Sequence, residues 1–159
     1  MTTETINQNR TLATVLHLSV FTKYFIPMGN FIFPLLLWLA KKEDPFVDKN
    51  GRNAINFQIS LFLYTIFLVT VGAALFLFFG IRFSMIEPFF FEHDHFEVHE
   101  FSHAIPFIVS AVILGIIFLG LFILEIFAVI MASIRASEGE IYHYPLTINF
   151  IGSGESGAN

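Results

Sequence analysis

Apolar residues run almost unbroken from Leu12 to Ala40, from Ala54 to Ile81 and from Ala104 to Ile134, and polar residues collect between these runs. Apolar runs of about twenty residues or more are the pattern of helices that cross a bilayer. The second and third runs predict two long transmembrane helices, over 45–81 and 104–136. The first does not fit one crossing, because Lys23 would sit near the bilayer centre at a cost of about 2.5 to 3.5 kcal/mol. Pro27, Gly29 and Asn30 follow Lys23 and Tyr24 closely and predict a turn. Residues 12–40 are therefore read as a helical hairpin with Lys23 and Tyr24 at an interface. Both arms are shorter than a hydrocarbon core of about 30 Å, so the pattern leaves open whether they span or re-enter. The expected fold is all-α: an integral membrane bundle of about four helices, a short N-terminal hairpin plus two long transmembrane helices, in one membrane domain.

The junctions set the orientation. Residues 1–10 read as a polar tail, with Asn9 or Thr11 capping a helix that starts near Leu12. Trp38, followed by Lys41 and Lys42, reads as an aromatic anchor beside snorkelling cations. Asp44 and Pro45 form an N-cap and first helical position, and Phe46 and Val47 a brief lead-in along the membrane surface. Lys41, Lys42, Lys49 and Arg52 make this turn the most basic part of the chain, which assigns it to the cytoplasm. The 82–103 loop carries five carboxylates, four histidines and a single cation, and is expected on the opposite side. Arg135 marks the cytoplasmic end of the last long helix, and 137–159 forms a cytoplasmic tail with an interfacial hook at Tyr142 to Pro145. No cleaved signal peptide is expected at the N-terminus.

Composition agrees: 55% of residues are hydrophobic, 22 are Phe and only 13% are charged, which is a membrane profile. With no cysteine, the sequence excludes disulfides, thiolate metal sites and cysteine nucleophiles. A formal charge of −5 argues against nucleic acid as a partner.

Candidate chemistry sits in two places. In the outer loop, a helical FEHDHFEVHEFSH (Phe91 to His103) would put His95, His99 and His103 on one face with Glu92 and Asp94 or Glu100 nearby, a donor set suited to zinc, nickel or copper. Within it, His99 to His103 matches HExxH, with Glu100 as the general base of a metalloprotease. That match needs a third ligand, and Glu125 lies about 33 Å further along the same helix. Glu125 is itself the second candidate, as an ionisable group inside a membrane helix. Its depth allows a hydrogen bond to His17 or Tyr64. For helix packing, Asn53, Asn56 and Ser60 share one face with Gln58 beside them, and Ala128, Ala132 and Ala136 form a row of small residues open to another backbone. GxSxG, P-loop and GxGxxG patterns are absent, so no enzymatic activity is expected.

HLS at His17 to Ser19, PMGN at Pro27 to Asn30, PLLLWLAKKEDPFVDKNGRNAINFQIS from Pro34 to Ser60 and IRASEGEIYHYPLTINFI from Ile134 to Ile151 resemble the Tic-twenty-like family. These small bacterial membrane proteins are grouped with a membrane subunit of the chloroplast inner-envelope import translocon. The resemblance implies a compact bundle of about four helices in the bacterial inner membrane with both termini cytoplasmic, and it carries no catalytic residues. The expected function is that of a non-enzymatic component or assembly partner of a membrane complex, with a translocon role by analogy and no resident cofactor. Its partners would be the bilayer and itself or other membrane proteins. The alternatives are a metal-binding or ion-handling protein that uses the outer loop and Glu125, and last a metalloprotease.

Overall fold

The computed structural model describes residues 2–85 and 98–152. Among the described residues every regular element is helical: α1 (Thr3–Leu18), a 3₁₀ segment (Ser19–Tyr24), α2 (Gly29–Ala40), α3 (Pro45–Met85) and α4 (Val98–Glu138). The expected all-α architecture of a hairpin and two long helices is present. The long helices extend beyond their sequence-predicted ends, α3 through Met85 and α4 from Val98, so both ends of the 82–103 stretch are helical. Two compact units form, Met1–Phe62 with Ile123–Asn159, and Leu63–Phe122.

In the first unit, α1 starts nine residues before the expected Leu12, with Thr2 as N-cap accepting from the Thr5 N–H at 3.4 Å. Its polar first half is not a tail because it has tertiary partners. Asn9 is buried and donates through Nδ2 to Asp44 Oδ2 at 2.5 Å, and Arg10 packs against Gly139. Gly139 has φ +86° and a Cβ there would lie 2.6 Å from Arg10 Nε, so both conformation and contact call for glycine. Weak helix formers are overridden here by packing.

The break expected at Pro27 to Asn30 is where α2 begins. Met28 takes a left-handed conformation, φ 62°, and a Cβ on Gly29 would stand 2.6 Å from Thr22 Oγ1, so the turn closes directly on the 3₁₀ segment. Asp44 caps α3 as its sequence predicts, with Oδ1 accepting from the N–H groups of Phe46 and Val47 at 3.0 and 3.1 Å. Val47, read as a surface lead-in, is instead fully buried. Trp38 is no exposed anchor either. Its indole fits over Gly51, where a Cβ would lie 2.3 Å from Cγ, and donates from Nε1 to Asp48 Oδ1 at 2.9 Å. The Arg52 guanidinium lies 5.7 Å from the Trp38 ring centroid and bonds Asp48 Oδ2 at 2.8 Å.

The second unit takes α3 from Leu63 to its C-terminal end and α4 from its N-terminal end to Phe122. Phe107 packs on Phe76 and Phe79 at centroid distances of 6.3 and 5.7 Å, and Leu114 on Gly72. Phe67, Phe76, Leu77 and Ile116 are exposed. Two stretches, Pro45–Phe79 and Ile105–Glu138, are long and apolar enough to cross a membrane. Apolar side chains facing outward along such helices match a lipid environment rather than water.

Candidate functional site

Among the described residues the ion pairs and the buried polar side chains lie in the first unit, where they form two buried networks and a strap. The first network centres on Glu125, which is 5% exposed on α4. Lys23, from the 3₁₀ segment, pairs with Glu125 Oε2. Gln58 on α3 donates from Nε2 to Oε1 at 3.4 Å, and Asn30 at the start of α2 donates to Gln58 Oε1 at 2.8 Å. Lys23 also lies 5.2 Å from the ring centroid of Tyr24. The 3₁₀ segment, α3 and α4 therefore meet at one carboxylate, and α2 joins them through Gln58. The pairing expected between Glu125 and His17 is corrected: Glu125 meets Lys23 and Gln58, and both ring nitrogens of His17 are taken by other residues. The cause is local: the 3₁₀ turn carries Lys23 to α4, while His17 is engaged elsewhere.

The second network runs through His17, which is fully buried at the end of α1. Asn50 Nδ2 donates to the Phe46 carbonyl at 2.9 Å, so its Oδ1, 2.9 Å from His17 Nε2, must accept. His17 is thus the neutral Nε2–H tautomer, and its bare Nδ1 accepts from the Tyr144 hydroxyl at 2.9 Å. Burial lowers the His17 pKa to about 4 against the opposing pull of the Asn50 hydrogen bond. Burial first, then Tyr142 and Glu125, pushes the Tyr144 phenol well above its usual range. Tyr144 stacks on Phe57 at 4.3 Å.

The strap is the chain after α4. Asn53 Nδ2 donates to the Tyr142 carbonyl at 3.0 Å, and Ser60 Oγ accepts from the Ile148 N–H at 2.8 Å. Asn56 takes both backbone groups of Ile151, donating to its carbonyl at 3.1 Å and accepting from its N–H at 2.8 Å. Arg52 Nη1 reaches the Gly152 carbonyl at 2.5 Å. The Asn53, Asn56 and Ser60 face, expected to pack on another helix, thus binds the backbone of the chain's own tail. Ala128, Ala132 and Ala136 are fully buried within this single chain. Thr14 of α1 bonds the Ser133 carbonyl beside them at 3.4 Å. The backbone that approaches this row thus belongs to the same chain.

Of the metal candidates, Glu92, Asp94 and His95 lie outside the described residues. His99, Glu100 and His103 fall on the first turns of α4, and their side chains lie outside them too. Among the described residues no three His, Asp or Glu side chains gather at a metal-binding distance.

The model of the MamF/MmsF family, the magnetosome magnetite crystal formation proteins, matches residues 8–151. The chain belongs to this family. The finding overturns the Tic-twenty-like resemblance: the blocks that suggested it, from His17 to Ile151, fall inside the magnetosome-family match. The translocon role leaves with it. No curated protein and no solved structure matches the chain. The matched residues of this MamF/MmsF-family chain include every member of the two networks and all of the strap except Gly152.

Sequence reasoning missed Lys23, Asn30, Asn50 and Tyr144 as partners. A signal for Lys23 was present, because one cation and one carboxylate within apolar runs are each costly alone and favour each other. Asn30, Asn50 and Tyr144 carried no such signal.

Proposed function

We propose that this chain is a non-enzymatic protein of the magnetosome membrane that takes part in magnetite crystal formation, with both termini in the cytoplasm. The family match over residues 8–151 carries the reading, and the two membrane-length helices support it. Charge supports the orientation: every Lys and Arg except Arg82 falls in residues 1–62 or 123–159. The helices α3 and α4 would then present the segment between them to the compartment in which the crystal grows. That segment holds Glu87, Glu92, Asp94 and Glu97 with His93 and His95, and the first turns of α4 add Glu100, His99 and His103. Carboxylate oxygens and imidazoles are donors suited to iron ions and to the iron atoms of an oxide surface. Iron here is cargo, and the reading assigns the protein no resident cofactor.

The test is complementation of a magnetosome-forming bacterium that lacks its own copy, with crystals sized by electron microscopy. The full chain should restore crystal size, and a variant with the five carboxylates replaced by their amides should reach the membrane yet leave crystals small. Crystals unaffected by loss of the chain would sink the functional reading. Normal crystals from the amide variant would remove the acidic segment from it.

A further inference from the structure

We propose that the 3₁₀ segment, the turn and α2 (residues 19–40) form a re-entrant hairpin that enters and leaves the membrane on one side, with its tip in lipid hydrocarbon near the midplane. The proposal rests on the reading of α4 as a membrane span, and not on any part in crystal formation.

The Lys23–Glu125 pair acts as a depth gauge. Glu125 lies ten residues before Arg135, which marks the interface, and ten residues of α-helix rise about 15 Å. A hydrocarbon core is about 30 Å thick, so the carboxylate, and the lysine held on it, stand near its middle. The return arm fits that depth. Twelve residues of α2, Gly29 to Ala40, cover about 18 Å, enough to climb from the midplane to Lys41 and Lys42 but too short to cross. Both arms therefore open on the side where Arg10, Lys41, Lys42 and Arg135 lie.

The tip has the chemistry that hydrocarbon demands. Phe25 is 87% exposed, and Tyr24, Ile26 and Met28 are exposed with it. One face of α2 continues the apolar surface through Leu36 and Leu39. The Ser, Thr and Asn side chains of the hairpin are hydrogen-bonded within the protein. Ser19 and Thr22 hydroxyls donate to the Leu16 and Ser19 carbonyls at 2.7 and 2.6 Å, and Asn30 is taken by Gln58. At the turn, the Phe25 and Ile26 N–H groups donate to the Thr22 carbonyl at 3.0 and 2.9 Å, and Pro27 has no N–H. Non-helical backbone survives at membrane depth only when its polar groups are satisfied by protein in this way. The lysine that would otherwise forbid insertion is neutralised by Glu125.

Because the chain has no cysteine, Phe25→Cys and Ile123→Cys each introduce a unique site on an exposed side chain. Full-length variants carrying a fluorophore there are reconstituted in phosphatidylcholine–phosphatidylglycerol vesicles with spin labels at the headgroup or deep in the acyl chain. Ile123, two residues from Glu125, reports whether α4 is inserted. The proposal expects deep labels to quench both sites at least twofold more strongly than headgroup labels. If Ile123 is deep and Phe25 is quenched best from the headgroup, the hairpin spans or lies on the surface and the proposal falls. If neither depth quenches Phe25, the tip is covered by protein and the proposal falls as well. A shallow Ile123 overturns the membrane reading itself. Adding Glu125→Gln to Phe25→Cys should shift the strongest quenching toward the headgroup. A tip that stays deep in that variant would show that the ion pair does not set its depth.

Discussion

Replacing Lys23 with methionine leaves Glu125 with the long 3.4 Å contact to Gln58 as its remaining described hydrogen bond, on a side chain only 7% exposed. Breaking a buried pair by removing one partner costs about 3 to 5 kcal/mol, because the other charge stays desolvated. The Lys23 side chain is 25% exposed, which places this pair toward the low end, at about 3 kcal/mol. Glu125→Gln should cost less, about 1 to 2 kcal/mol, since the amide keeps a hydrogen bond to Gln58 and the lysine can swing outward. The double variant should lose only about 1 to 2 kcal/mol, because no charge is then left buried, giving a coupling of about 3 kcal/mol. Unfolding in mixed micelles of rising dodecyl sulfate content measures all four proteins. Trp38, the one tryptophan, sits in the same unit against Asp48 and supplies the fluorescence signal. Single variants within about 0.5 kcal/mol of the parent, with strictly additive effects, would refute the assignment of Lys23–Glu125 as a desolvated pair.

Two further outcomes are expected. Asn56→Ala removes both hydrogen bonds to Ile151 and should weaken strap docking by about 1 to 2 kcal/mol, seen as a roughly 5- to 30-fold faster proteolytic cut after residue 140. Unchanged protection would show that the strap is held by something else. His17 stays neutral when folded, with a pKa of about 4, but takes a proton near 6.5 when unfolded. Its contribution to stability is therefore fully present above about pH 6.5 and lost as pH falls toward 4, amounting to about 2 kcal/mol between pH 7 and 5. The same micelle titration at both pH values checks this, and a His17→Gln variant with an equal pH dependence would contradict it.

The features legible in the sequence were those set by the local chain. Apolar run length gave α3 and α4, Pro27 to Asn30 gave the turn, and Asp44–Pro45 gave the start of α3 because a cap and its N–H groups are neighbours in sequence. Partners were not legible where they lie far apart along the chain. Glu125 and Lys23 are 102 residues apart, and His17 and Tyr144 are 127 apart, and no periodicity links them. The start of α1 was misplaced for the same reason: its polar first half is helical because Asp44 and Gly139 receive it. The Asn face and the Ala row were recognised as packing surfaces, but amides and small side chains accept many partners. Here the first takes a peptide backbone and the second is buried within one chain.

The strap explains why so polar a set of residues is affordable beside a membrane span. His17 and Asn56 are buried, and the returning tail supplies the described partners of His17 Nδ1, through Tyr144, and of the Asn56 amide, through both backbone groups of Ile151; Ser60 Oγ, which also donates to the Asn56 carbonyl at 2.7 Å, takes the Ile148 N–H. Buried polar atoms left unpaired cost about 1 to 3 kcal/mol each, so the helices without the strap would carry several such costs at once. The helices and the tail are thus one cooperative structure rather than a bundle with an appended tail. The extent of the family match fits this view, since its last residue, Ile151, is the one whose backbone Asn56 grips at both N–H and carbonyl.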